Sequence, residues 1–161
     1  MKPSTLIVAV GLAATSVGLS AGAGLAQGPS GVIAQRADLM RRQAGDLGVV
    51  HNYVLGTATK AKAEAAAADL TNTTRKIPTV FPEGSGGTSP GGKFGTFATK
   101  PEIWSDWQGF LAAQKNAVQK AFALEAVVKT GNKKKIGAAF ADLLKNGCTG
   151  CHTKFREQIK K

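Results

Sequence analysis

Apolar residues recur every seven positions from Ile33 through Met40 and Leu47 to Val54, with Ala37 and Ala44 between them and polar side chains around them. That spacing predicts a helix from Val32 to about Leu55 with one apolar seam. The next stretch, "TKAKAEAAAADLTNTTRKI", is rich in alanine and other strong helix formers, and Pro78 ends it. Beyond it the period is lost. Gly and Pro dominate "PTVFPEGSGGTSPGGKFGTFATKP", which predicts a long loop over 79–100. Pro101 suits a first helical turn, and Ile103, Trp107, Phe110, Leu111, Val118, Ala121, Phe122 and Val128 then mark one long amphipathic helix. Gly131 stops that helix and Asn132 caps the next, whose apolar positions include Ile136, Phe140, Leu143, Phe155 and Ile159. No segment alternates with period two for long enough to predict a strand. Four helices, with short first and last connections and a long middle link, predict an all-α chain folded as an antiparallel four-helix bundle with room for a cofactor between facing helices.

The N-terminus follows a different pattern. Lys2 precedes the apolar run "LIVAVGLAATSVGLSAGAGLA", which grades into small residues, and no acidic residue occurs before Asp38. This is the layout of an export leader, with cleavage expected after Ala26, so that residues 1–26 are removed and 27–161 form one domain. The run is too interrupted by Gly, Ser and Thr to read as a membrane span, and the expected location is outside the cytoplasm. The Arg41–Arg42 pair lies beyond the run and is not a twin-arginine signal. A formal charge of +11 favours encounter with acidic partners. Scattered lysines, few aromatics and export argue against nucleic acid.

Both cysteines and one of the two histidines fall within five positions of "KNGCTGCHTKFREQ": Cys148, Cys151 and His152. A structural zinc site needs a fourth ligand, and only His51 is left among the soft donors. A dithiol redox pair needs a helix N-terminus to stabilise its thiolate, whereas this pair lies deep in the last predicted helix. C-x-x-C-H is also the attachment signature of c-type haem. Two sulfurs three positions apart on a helix can add to the two vinyl groups of one porphyrin, and the next imidazole is carried over the ring to bind iron. Combined with an export leader and a helical bundle, the motif predicts one covalently attached haem c on Cys148 and Cys151, with His152 as the iron ligand.

The order of motifs resembles the class II c-type cytochromes, the family of cytochrome c′ and the low-spin cytochrome c556 group. The resemblance rests on "RADLM" at 36–40, "FPEGSGG" followed by "KPEIWSDW", and "CTGCHTKFR" near the C-terminus, so it spans most of the chain after the leader. It implies a four-helix bundle with one haem c in a bacterial periplasm, often as a homodimer, and without enzymatic activity. By the same resemblance Met40 falls at the distal position, Arg36 near a haem propionate and Arg156 in the proximal pocket. The leading expectation is a monohaem electron carrier cycling between ferric and ferrous iron, low-spin, with His152 and Met40 as axial ligands, docking to acidic redox proteins. The alternative is a five-coordinate, high-spin protein that binds nitric oxide or carbon monoxide on the distal face.

Other features read as decoys. His51, eleven residues beyond Met40, lies roughly 16 Å along the helix and cannot share its iron. "GTSPGGKF" lacks the Ser or Thr and the preceding strand that a phosphate loop needs. Trp104 and Trp107 share a helix face and suit core packing or contact with the porphyrin edge.

Overall fold

The computed structural model describes residues 29–91 and 95–159. The expected leader, 1–26, lies outside them. Helices α1 (Pro29–Leu55), α2 (Lys60–Arg75) and α4 (Trp107–Thr130), with a C-terminal helical arm, form an antiparallel four-helix bundle. The arm runs from α5 (Lys133–Asp142) through a π-helical stretch, Leu143–Thr149, into α6 (Gly150–Phe155). Packing goes around the ring: α1 on α2, α2 on α4, α4 on the arm, and the arm back on α1. No described helix is long and apolar enough to cross a membrane.

Local chemistry sets the helix ends. Thr59 caps α2 by accepting from the Lys62 N–H at 3.3 Å. Gly131 closes α4 in the left-handed region, φ +71°, and Asn132 opens α5 by accepting from the Lys135 N–H. The single long helix expected after Pro101 is divided. Asp106 has non-helical dihedrals and its carboxylate caps a new start at Gly109, leaving α3 (Glu102–Ser105) as one separate turn before α4.

The link between α2 and α3 is more ordered than its composition predicts. It holds a 3₁₀ turn, Ile77–Val80, and two short strands, β1 (Thr88–Pro90) and β2 (Thr96–Thr99). The final helix is shorter than its apolar pattern predicts, because the chain becomes extended after Phe155. Arg156 to Ile159 forms β3 (Arg156–Ile159), which pairs antiparallel with β2, so that Ile159 and Arg156 leave the helix they were expected to continue. The sheet order is β1-β2-β3. The class is all-α with this one small sheet attached.

Among the described residues two packed clusters make up the core. One is small and aliphatic: Val50, Ala63, Ala67, Leu124, Val128 and Ile136 are all fully buried in it. Alanines on α2 let α1 and α4 approach closely, and each large aliphatic side chain contributes about 2 kcal/mol of transfer free energy. The other is aromatic, with Phe81, Phe110 and Phe155 packed beside Ile77, Val80 and Ile103. Phe110 meets both other rings edge-on, with centroids 5.0 and 5.3 Å apart. Phe122, assigned to the seam by periodicity, is 57% exposed; Leu124 is buried on that face instead, beside the expected Ala121.

Candidate functional site

The π-helical stretch brings the C-terminal arm against α4. Gly147 is buried there: a Cβ would lie 2.9 Å from Leu143 Cδ1 and 3.4 Å from the Ala117 Cα, so the bare Cα eases the approach. A π turn holds an extra residue and re-aims the helix face that follows, a device found mostly at functional sites. Cys148 lies inside it, and Cys151 and His152 lie in α6 immediately after.

All three side chains line one cavity of about 540 Å³. Arg36 and Met40 reach it from α1, Phe110 from α4, Phe97 from β2 and Arg156 from β3. The six residues singled out by sequence, Arg36, Met40, Cys148, Cys151, His152 and Arg156, are therefore brought together, although 120 positions separate the first from the last. Cys148 packs on the aliphatic cluster, whereas Cys151 and Met40 pack on the aromatic one. His51 takes no part: it is exposed and stacks on Phe140 at 5.7 Å. Neither tryptophan lines the cavity. Trp104 donates its indole N–H to the carbonyls of Phe81 and Pro82, and Trp107 stacks on Phe110, which stands between it and the cavity.

The walls are mostly apolar and include no carboxylate. They do include cations without a counter-ion. Arg36 is only 4% exposed; its guanidinium donates to the Val80 carbonyl at 3.1 Å and to the Ser85 carbonyl and hydroxyl at 3.0 and 2.9 Å. It also lies over the Phe81 ring at 4.1 Å. Burial pushes its pKa down to about 10, and no acidic partner meets it among the described residues. Its neighbours one turn or more along α1 differ: Arg41 pairs with Asp38 and Arg42 with Asp69. Arg156 likewise forms no ion pair among the described residues, and its guanidinium lies 4.1 Å over the Phe97 ring.

Burial governs the other titratable groups. It pushes His152 down to about 4, with the Arg156 charge acting the same way, so the imidazole is neutral near pH 7 and able to bind a metal. Burial raises Cys148, and it raises Cys151 to about 11 with the Cys148 charge adding to it. Thiols kept protonated by burial are poor redox nucleophiles, which need thiolate.

A porphyrin suits this cavity on chemical grounds. The box is apolar, two thiols and a neutral imidazole stand on one helix, and unpaired buried positive charge awaits an anionic edge. Sequence reasoning missed Ser85 and Phe97. Ser85 sits in a glycine-rich run with no period, and Phe97 lies in a four-residue strand paired on one side with β1 and on the other with residues some sixty positions later.

Comparisons with known proteins agree with this chemistry. A family model described as Cytochrome C' matches residues 31–156. The cytochrome c′ of Rubrivivax gelatinosus is 36% identical over 134 residues, covering 82% of this chain and 98% of that one. The cytochrome c′ of Rhodospirillum rubrum is 32% identical over 80 residues, half of each chain. Among solved structures, Rubrivivax gelatinosus cytochrome c′ superposes with a TM-score of 0.66 at 29% identity, covering 80% of this chain and 97% of that one. A nitric oxide complex of a variant of cytochrome c prime from Alcaligenes xylosoxidans superposes with a TM-score of 0.69 at 25% identity, covering 81% and 97%.

Proposed function

Since this chain belongs to the cytochrome c′ family, we propose that its haem binds a small diatomic gas, nitric oxide or carbon monoxide, on a face to which the protein supplies no ligand. At the coarser level it is a haem protein of electron transfer or gas binding, with one covalently attached haem c. The finer expectation from sequence, low-spin iron held by both His152 and Met40, finds no support in these relatives. Solved cytochrome c prime variants carry nitric oxide, and the gas-binding alternative suits the family better.

The proposed roles follow from the cavity. Cys148 and Cys151 hold the group through thioether bonds, and His152, kept neutral by burial, binds the iron. When bound, the haem supplies an iron that accepts one electron or one gas molecule. Arg36, buried without a counter-ion and pinned by Val80 and Ser85, meets a propionate. Met40 packs with the aromatic cluster and, with Leu47, gives that wall an apolar lining that excludes water. One observation carries the reading: the chain belongs to a family whose solved members include nitric oxide complexes, and its Met40 side chain packs on the aromatic cluster. The proposal includes export of residues 27–161 to a periplasm after removal of 1–26, acidic redox partners drawn by the strong net positive charge, and pairing into a homodimer.

Absorption spectra of the purified protein in both oxidation states test it. The expected result is high-spin iron, a prompt spectral change on adding nitric oxide, and no change in spin state in Met40→Leu. A low-spin, methionine-type spectrum that becomes high-spin in Met40→Leu overturns it.

A further inference from the structure

The segment that departs from an all-helical plan also carries a charge to the cavity. Arg156 follows α6 directly, and its extended backbone, φ −128° and ψ 141°, pairs with Thr99 of β2. The side chain has no ion-pair partner among the described residues and is exposed, so its own long chain would leave it free to roam. Phe97 is what it touches: the guanidinium lies 4.1 Å over that ring, and both residues line the cavity that holds Cys151 and His152. The ring is itself confined. A Cβ on Gly91 would come within 2.4 Å of Phe97 Cε2 and 2.8 Å of Cδ2, so the hairpin packs its backbone against that edge of the ring. The register Phe97↔Gln158 ties ring and arginine to the same pair of strands. The Arg156 charge is felt at both Cys151 and His152, which places it on the His152 side of the cavity.

We propose that Phe97 is a positioning residue: held by the β-hairpin, its ring fixes the Arg156 guanidinium beside the His152 side of the cavity, where a fixed positive charge favours the reduced cofactor. The inference rests on the haem reading above. Reduction adds one negative charge to the group in the cavity, and a cation held close by in a partly dry site stabilises that state more than a mobile one in water. Phe97 touches the guanidinium and acts through it. Loss of the ring's π face therefore acts in the same direction as loss of the charge, and by less.

Midpoint potentials of the full-length haem-loaded protein, measured by spectroelectrochemical titration near pH 7, test this. Phe97→Leu keeps the apolar bulk and removes the π face, and is expected to lower the potential in the same direction as Arg156→Gln does, by a smaller amount. Gly91→Ala, which displaces the ring, shifts it the same way, whereas Phe97→Tyr keeps the wild-type value. In the Phe97→Leu/Arg156→Gln double variant the potential lies no lower than in Arg156→Gln alone. The inference is overturned if Phe97→Leu leaves the potential unchanged, or if its effect persists in full when Arg156 is absent, since the ring then acts only as a wall. Mass and absorbance of each sample report covalent haem independently. A preparation that takes up no haem counts against the haem reading itself, and one that takes it up without the shift counts against the role of Phe97 alone.

Discussion

The two ends of the bundle are packed in opposite ways. At one end Val50, Leu124, Val128 and Ile136 interdigitate with the alanines of α2 and leave no exposed apolar surface among them. At the other, Phe81, Phe110 and Phe155 surround a cavity of about 540 Å³ that the polypeptide does not fill. The first end is complete as chain alone. The second is complete only with its cofactor, because an apolar cavity of that size forfeits dispersion contacts on every wall. Stability is therefore expected to be divided unevenly along the molecule.

The largest effect comes from preventing attachment. In the Cys148→Ser/Cys151→Ser variant, haem is lost under denaturing conditions, and amide exchange across Trp107–Phe110 and Gly150–Phe155 is expected to quicken by about 100-fold or more. Amides around Leu124 and Ala67 should change far less. Equal loss of protection at both ends would dissolve the distinction between them. Next come the two cores themselves. Leu124→Ala should cost about 3 kcal/mol in denaturant unfolding whether or not haem is present. Phe110→Ala should cost about 3–5 kcal/mol in the loaded protein and clearly less without haem, because its ring then faces a cavity on one side. If Phe110 behaves like Leu124 in both forms, the cavity end does not depend on its cofactor.

The smallest effect lies on the α1–α2 seam outside the cavity. Burial, then the hydrogen-bonded and like-charged Asp69, hold the Asp46 carboxyl up at about 6, and one of its oxygens is buried without a partner. Its folded value lies above its unfolded one, so its ionised form opposes folding above that range, and the penalty is relieved as pH falls from about 6 towards 4. Asp46→Asn should therefore raise stability near pH 7 by about 1 kcal/mol after allowance for solvent screening, with the gain fading by about pH 4. Urea midpoints of the two proteins at pH 7 and pH 4 measure this. A gain that is equal at both values would mean that the carboxyl titrates normally.

Much of this arrangement is legible in the sequence, and the unread part has a common cause. Heptad spacing placed Met40 and Leu47 on the inner face of α1, and the five-residue motif placed Cys148, Cys151 and His152 on the last helix. Both signals are local. The strands are three or four residues long, too short to show a period of two, and β2 has one neighbour, β1, close in sequence and the other, β3, some sixty positions away. Arg156 followed His152 at helical spacing in the sequence, yet it enters the cavity from a strand. The π-helical stretch is invisible for the reverse reason: its residues are ordinary helix material, and its Gly147 packs against Ala117 of another helix. Phe122 misled because one apolar residue at the margin of a helical face weighs as much in a periodicity as one at its centre.

The two sulfurs have a mechanical consequence beyond retention. Cys148 rests on the aliphatic cluster and Cys151 on the aromatic one, one helical turn apart, so under the proposed attachment a rigid plate bonded to both would be riveted across the boundary between them. Motion begun at either end would then pass to the other through that plate. Halves that would otherwise melt separately would be made to melt as a single body.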